Sequence, residues 1–328
     1  MQPPGFWFRP RSAWASILAP LGTLYAAMTA RRVAQAPRYA PEVPVICVGN
    51  LNIGGTGKTP TVIALVQALQ SMGVQAHVLS RGYGGRLKGP VQVVERQHNA
   101  ADVGDEPLLM AAFAPVWVGR DRAATARRAV AAGAQALILD DGFQDPALRK
   151  DLSLVVVDAA LGFGNGRVLP AGPLREPVAT GSARADSILA IGTPEQIASF
   201  RAARDHPVPV IGGTLQPLAM GLSWSGQRVL AFAGIGRPEK FFATLRAEGA
   251  VLLRAEALAD HQPLSDALMA RLELEAKALG AQMVTTEKDS VRLPRRFRQK
   301  VMTLPVRLEW QDAQAIRAVL ADILQDRG

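Results

Sequence analysis

The octapeptide Asn52-Ile53-Gly54-Gly55-Thr56-Gly57-Lys58-Thr59 constrains this chain more than any other stretch. It follows the short apolar run Val45 to Val48 and precedes helical periodicity over Thr59 to Leu69, which is the strand, glycine loop, helix context of a P-loop. Glycines let successive N–H groups converge on phosphate oxygens, and the helix N-terminus behind them adds partial positive charge. Lys58 is spaced to reach a β- or γ-phosphate and the Thr59 hydroxyl to ligate Mg2+, so all eight residues are expected to hold nucleotide. Asn52 replaces the usual first glycine, a mild change if the position is left-handed, because Asn tolerates that backbone better than most residues.

From Pro44 onward short β-branched runs alternate with helical patterns, the signature of parallel α/β layers. Strands are expected at 76–79, 91–94, 116–118, 136–139, 154–157, 187–191 and 208–211. The pattern breaks between Gly212 and Gly226, where Leu222-Ser223-Trp224-Ser225 reads as a connector, and restarts with strands at 229–233, 251–254, 283–285 and 301–304. A chain of 328 residues suggests about two domains. The expected division is an N-terminal helix over 1–40, a P-loop lobe over 41–215, a linker over 216–227 and a smaller α/β lobe over 228–328.

Composition excludes several classes. With 48% hydrophobic and 20% charged residues the chain has ample surface to bury, so it is not disordered. Cys47 is its one cysteine, so no intrachain disulfide forms, and there is no Cys/His cluster at zinc-ligand spacing. The net charge is +9, but Arg9, Arg11, Arg31, Arg32 and Arg38 place five of those charges in the first 41 residues, which hold no acidic residue. The remainder is only mildly basic and lacks a nucleic-acid signature, so nucleic acid is not expected as a partner.

Between Arg11 and Arg31 there is no charge, and Trp14, Ile17, Leu18, Leu21, Leu24, Tyr25 and Met28 recur at helical spacing. Small residues occupy the other face, and arginines with Phe6, Trp7 and Phe8 mark the ends. This fits a helix lying on an anionic membrane surface through residues 5–32. A core helix, a membrane span and a signal peptide are competing readings; Pro20 and Gly22 weaken a span, and export would separate the P-loop from ATP.

Other candidate residues are individually weaker. The run Ala136 to Leu139 ends in Asp140-Asp141, as expected of the strand that holds Mg2+ opposite a P-loop. In Gly104-Asp105-Glu106-Pro107, Asp105 reads as well as a helix N-cap as it does as a chemical group. His261 lies in a loop after a predicted strand, where α/β lobes place ligands. Glycine loops surround Tyr83 and Phe163, and the proline-rich 169–177 segment carries Arg175 and Glu176.

Taken in order, Gly54 to Pro60, Ser80-Arg81-Gly82-Tyr83-Gly84, Gly104 to Pro107, Asp140-Asp141-Gly142-Phe143-Gln144, Leu169 to Pro177 and Thr286-Glu287-Lys288-Asp289 resemble the tetraacyldisaccharide 4'-kinase family. The resemblance implies ATP- and Mg2+-dependent phosphorylation of the 4'-hydroxyl of a tetraacylated glucosamine disaccharide 1-phosphate, in lipid A synthesis at the cytoplasmic face of the bacterial inner membrane. It further implies a P-loop NTPase-like fold of two α/β/α lobes joined by a short β linker, with a membrane-associated N-terminal helix. By motif, Lys58 and Thr59 hold nucleotide and metal, Asp140 and Asp141 form the acidic site opposite, and Asp105 with His261 deprotonates the hydroxyl. Tyr83, Glu106, Arg175 and Glu176 line the site. The alternative is a membrane-associated P-loop switch ATPase; Ile53, standing where sorting ATPases carry a second lysine, counts against it.

Overall fold

The computed structural model describes residues 4–219, 221 and 223–325, so Leu222 of the expected connector lies outside the described residues. Thirteen strands are described: β1 Val45–Gly49, β2 Ala76–Ser80, β3 Val91–Gln92, β4 Val116–Val118, β5 Ala136–Asp140, β6 Leu152–Asp158, β7 Ser187–Ile191, β8 Val210–Pro217, β9 Arg228–Ala233, β10 Val251–Ala257, β11 Gln282–Thr286, β12 Val301–Leu304 and β13 Val306–Trp310. Nine of them form one sheet in the order β13-β8-β7-β6-β1-β5-β2-β4-β3, and four form a second in the order β10-β9-β11-β12. Within the large sheet only the edge pairs β13–β8 and β3–β4 are antiparallel.

The burial pattern follows from the sequence of the central strands. All five residues of β1 are buried, with Ile46 and Val48 in one apolar cluster and Val45 and Cys47 in another, so the sheet is covered on both faces. In the second lobe Leu230 and Phe232 of β9 face one cluster while Val229, Ala231 and Ala233 face the other. Parallel strands put their C-terminal ends, and hence the loops that follow them, along one edge of each sheet. The two edges meet: an ideal Cβ on Gly236, in the loop after β9, would lie 3.4 Å from the Gly55 nitrogen of the P-loop.

The expected boundary of the smaller lobe needs one correction. Residues 301–304 form a strand as expected, paired with β11, but after Pro305 the chain returns to the large sheet as β13, whose Val306 to Trp310 pair with Pro217 to Gly213 of β8. The helix Ala313–Gln325 then buries Ile316 and Leu320 in the core of the large lobe. The two passes between the lobes are hydrogen-bonded to each other, Leu218 N to Pro305 O at 2.9 Å. Val306, Leu308 and Trp310 alternate with Arg307 and Glu309 at strand period, but that local pattern does not name β8, about ninety residues earlier, as the partner.

The N-terminal stripe forms two helices, Ala13–Ile17 and Ala19–Val33, broken at Leu18. Pro20 has no N–H to give the Ser16 carbonyl, which explains the break. The small face docks on the protein, with Ala15, Gly22 and Thr29 buried, and an ideal Cβ on Gly22 would lie 2.8 Å from Val168 O. Trp14, Ile17, Leu21, Leu24 and Met28 point outward and are each more than half exposed. Among the described residues no helix is long and apolar enough to cross a membrane.

Candidate active site

The P-loop connects β1 to the helix Lys58–Ser71, whose N-cap Gly57 is left-handed at φ 99°, as is Gly54 at φ 111°. Both require a residue without Cβ. An ideal Cβ on Gly54 or Gly55 would meet nothing within 4 Å, so neither is packed on that side, while Gly236 of the second lobe approaches the Gly55 nitrogen. Asn50 was not singled out from sequence, yet it shapes the loop by donating from Nδ2 to Thr56 Oγ1 at 3.1 Å. Contrary to expectation Asn52 is not among the left-handed residues; its Nδ2 donates to Gly162 O at 3.1 Å while it bridges Leu174. Ile53 N donates to Pro173 O at 2.8 Å, so the 169–177 segment braces the loop from outside.

At the end of β5 the paired carboxylates have different surroundings. Asp141, left-handed at φ 53°, receives Arg175 Nη1 at 2.7 Å and Nη2 at 3.1 Å, with Lys58 Nζ 3.7 Å away. Desolvation would raise its carboxyl, but Lys58 and Arg175 override that and hold it down at about 2. Asp140 is fully buried; burial first, then the neighbouring Glu106 and Asp141 carboxylates, push it up to about 7. Ser80 Oγ donates to its Oδ2 at 3.0 Å, while its Oδ1 is buried without a hydrogen-bond partner. Beneath it Arg122, 1% exposed, donates from Nη2 to the Asp140 carbonyl at 2.6 Å and from Nη1 to the Leu79 carbonyl, joining the ends of β5 and β2. Nothing in the sequence around Arg122 distinguished it from a surface arginine.

The remaining expected residues are separated by the structure. Glu176 is 2% exposed and does not line open space; it accepts from Gln144 Nε2 at 2.9 Å and Arg184 Nη2 at 2.6 Å, anchoring the segment that aims Arg175. Tyr83 is exposed, its ring edge-on to His261 at 5.6 Å between centroids. Asp105 is not a helix cap: Gly104 at φ 91° is the N-cap of Asp105–Met110, and Asp105 is the first helical residue. Its Oδ1 accepts from Glu106 N at 3.1 Å, and its Oδ2 lies 3.0 Å from His261 Nδ1, across the meeting edges of the lobes. Burial would raise the Asp105 carboxyl, but the hydrogen bond from His261 and the cations Lys288 and Arg292 hold it below the usual carboxylate range. The His261 imidazole is raised, chiefly by its bond to Asp105.

This arrangement can seat a nucleotide triphosphate on the large lobe, and it pairs a carboxylate of that lobe with an imidazole of the smaller one. A profile of the family described as tetraacyldisaccharide-1-P 4'-kinase matches residues 14–325. The chain belongs to that family. The tetraacyldisaccharide 4'-kinase of Dinoroseobacter shibae is 61% identical over 326 residues, spanning 98% of this chain and 97% of that protein. The one from Rhodospirillum centenum is 49% identical, spanning 100% and 98%. The crystal structure of the Aquifex aeolicus family member in complex with ATP superposes with a TM-score of 0.77 at 26% identity, covering 94% of this chain and 99% of that one. Membership of the family makes the protein an ATP-using kinase of lipid A synthesis, and the switch-ATPase alternative is not favoured.

Proposed function

We propose that the chain transfers the γ-phosphoryl group of ATP to the 4'-hydroxyl of a tetraacylated glucosamine disaccharide 1-phosphate, with Asp105 and His261 deprotonating the hydroxyl. The 3.0 Å contact between His261 Nδ1 and Asp105 Oδ2 carries this reading, because a carboxylate-paired imidazole is the kind of group that can take a hydroxyl proton. Phosphoryl transfer depends mostly on positioning and charge neutralisation, which the loop amides, Lys58 and the helix N-terminus supply. The acceptor must still lose a proton, and an Asp at its ordinary value near 3.9 is a weak base, whereas an imidazole is well matched. His261 Nε2 takes the proton, and Asp105 orients the ring through Nδ1–H and stabilises the imidazolium.

Mg2+ fits the site. The orphaned, buried Oδ1 of Asp140 and the Thr59 hydroxyl supply two hard oxygen donors, and Mg2+ characteristically takes few protein ligands beside substrate phosphates and water. When bound it would neutralise the charge between the β- and γ-phosphates. Asp141, held by Arg175 and Lys58, fits better as an organiser of those two cations than as a direct ligand.

Membrane attachment through residues 5–32 at the cytoplasmic face is supported by the outward apolar face of the N-terminal helices and by their arginines, which suit anionic headgroups. Such attachment brings a two-dimensional lipid acceptor to a nucleotide drawn from solution.

The test is transfer of labelled γ-phosphate from ATP to the tetraacyl disaccharide 1-phosphate in mixed micelles, with Lys58→Ala as the blank. Labelled lipid that depends on Lys58 is expected; label released only as free phosphate would sink the reading.

A further inference from the structure

The segment Thr286-Glu287-Lys288-Asp289 caps the end of β11, and three of its residues have internal duties. Thr286 Oγ1 donates to Asp289 Oδ2 at 2.7 Å and accepts from Asp289 N at 3.1 Å, so it closes the turn. Glu287 receives Arg307 Nη1 at 2.8 Å on Oε2, tying the turn to β13. Asp289, fully buried, accepts from Gly234 N at 3.0 Å and is paired with Arg292, whose Nη1 donates to Gln262 O at 2.8 Å. These contacts hold the residue after His261 and the neighbouring loop after β9, whose Gly234 O accepts from His261 N at 3.1 Å.

Lys288 does none of this. Its Nζ donates to Glu106 Oε1 at 3.0 Å and lies 3.3 Å from His261 Nε2. An ammonium has hydrogens to give and no lone pair to offer, so a contact at that distance requires Nε2 to be the acceptor. The ring proton then sits on Nδ1, facing Asp105 Oδ2.

We propose that Lys288 is a positioning residue that holds His261 as the Nδ1–H tautomer, keeping the Nε2 lone pair free of a proton until the acceptor hydroxyl displaces the ammonium toward Glu106. The proposal deepens the reading of Asp105 and His261 as the deprotonating pair and rests on it. Its electrostatics follow from every charged group facing the ring. Asp105 and Asp260, the latter with Oδ1 3.8 Å from Nε2, favour the imidazolium, and Lys288 opposes it. Arg292, 3.6 Å from Asp105, weakens the Asp105 contribution, while Glu106 holds Lys288 charged; Tyr83 contributes an uncharged ring edge. Without Lys288 the imidazole would be protonated at higher pH and the base lost over a wider range.

The experiment is a 15N NMR titration of histidine-labelled full-length enzyme, with the His261 signal identified by its absence from His261→Ala, run beside pH profiles of kcat/KM. Wild type is expected to show the Nδ1–H tautomer. Lys288→Met should raise the imidazole midpoint, and with it the acid limb, by roughly half to one pH unit. Lys288→Arg should restore both. An Nε2–H tautomer in wild type overturns the proposal without recourse to any Lys288 variant. An unchanged midpoint in Lys288→Met, where that variant keeps the wild-type thermal transition, overturns it too. If His261→Ala turns over normally, the deprotonating pair is wrong, whereas the NMR midpoint still decides what Lys288 does to the ring.

Discussion

Asp105 and His261, 156 residues apart in the chain, meet at 3.0 Å between the C-terminal edges of two different sheets. Asp105 follows a left-handed glycine in the large lobe, and His261 is itself left-handed at φ 57° in a loop fastened through Gly234 and Gln262. A non-glycine residue in that region carries backbone strain that persists only where its surroundings hold it, a common feature of functional sites. The contact is made between the two lobes, so its geometry depends on how they sit against each other.

Asp105→Ala is expected to lower kcat by about 10²- to 10⁴-fold while leaving the KM for ATP within a few-fold. The carboxylate contacts Glu106 N, His261 and Arg292 rather than the P-loop or Lys58. Steady-state kinetics with the lipid acceptor check this, and near-normal kcat would remove Asp105 from the deprotonating pair.

Asp140→Asn separates stability from activity. With its folded value near 7 and an unfolded value near 3.9, Asp140 holds its proton in the native, cation-free protein over a range where the unfolded chain has lost it. Its contribution is therefore full below about pH 4 and lost as pH rises through about 7. At pH 8 without Mg2+ the Asn variant should melt a few degrees higher than wild type, a gain of about 1–3 kcal/mol that shrinks toward pH 5. Its kinase activity should fall to the level of the Lys58→Ala blank. Differential scanning calorimetry across pH, with equal melting at pH 8 as the contrary result, decides the point.

Replacing Trp14, Leu21 and Met28 together by Ser should weaken sedimentation with anionic vesicles at least tenfold, given roughly 1.5–3 kcal/mol for each large apolar side chain buried. Turnover of a short-chain, water-soluble acceptor should stay near wild type, since none of the three touches the site. Unchanged vesicle binding would assign the exposed face another purpose.

Gly49→Ala should destabilise the fold by about 1–3 kcal/mol, because an ideal Cβ there would overlap Phe143 Cβ and one of the two must move. Gly49 ends β1 and Phe143 lies two residues after Asp141, so the shift should also weaken nucleotide binding. Chemical denaturation and ATP titration measure the two effects; wild-type values in both would mean that the strand end yields without cost.

How much of this was legible beforehand depended on the range of the interaction. The P-loop, the alternating apolar runs of the central strands and the stripe from Trp14 to Met28 are local patterns, and local patterns follow from backbone sterics and side-chain periodicity in a window of ten to twenty residues. They were sufficient for the fold class, the glycine loop between β1 and its helix, and the amphipathic helical character of the N-terminal segment. The family resemblance named Asp105 and His261 together, but no spacing within the chain could set their distance. The return of β13 to β8, the burial of Arg122 beneath Asp140 and the aim of Lys288 at His261 Nε2 were likewise beyond it, each joining residues far apart in the chain. Local propensity is blind to such contacts, because they form only when the packing of two cores brings distant backbone together. The sharing of roles between Asp140 and Asp141 lies at the same boundary: two adjacent, identical side chains, made chemically different by Arg175 and Lys58 on one and by burial on the other.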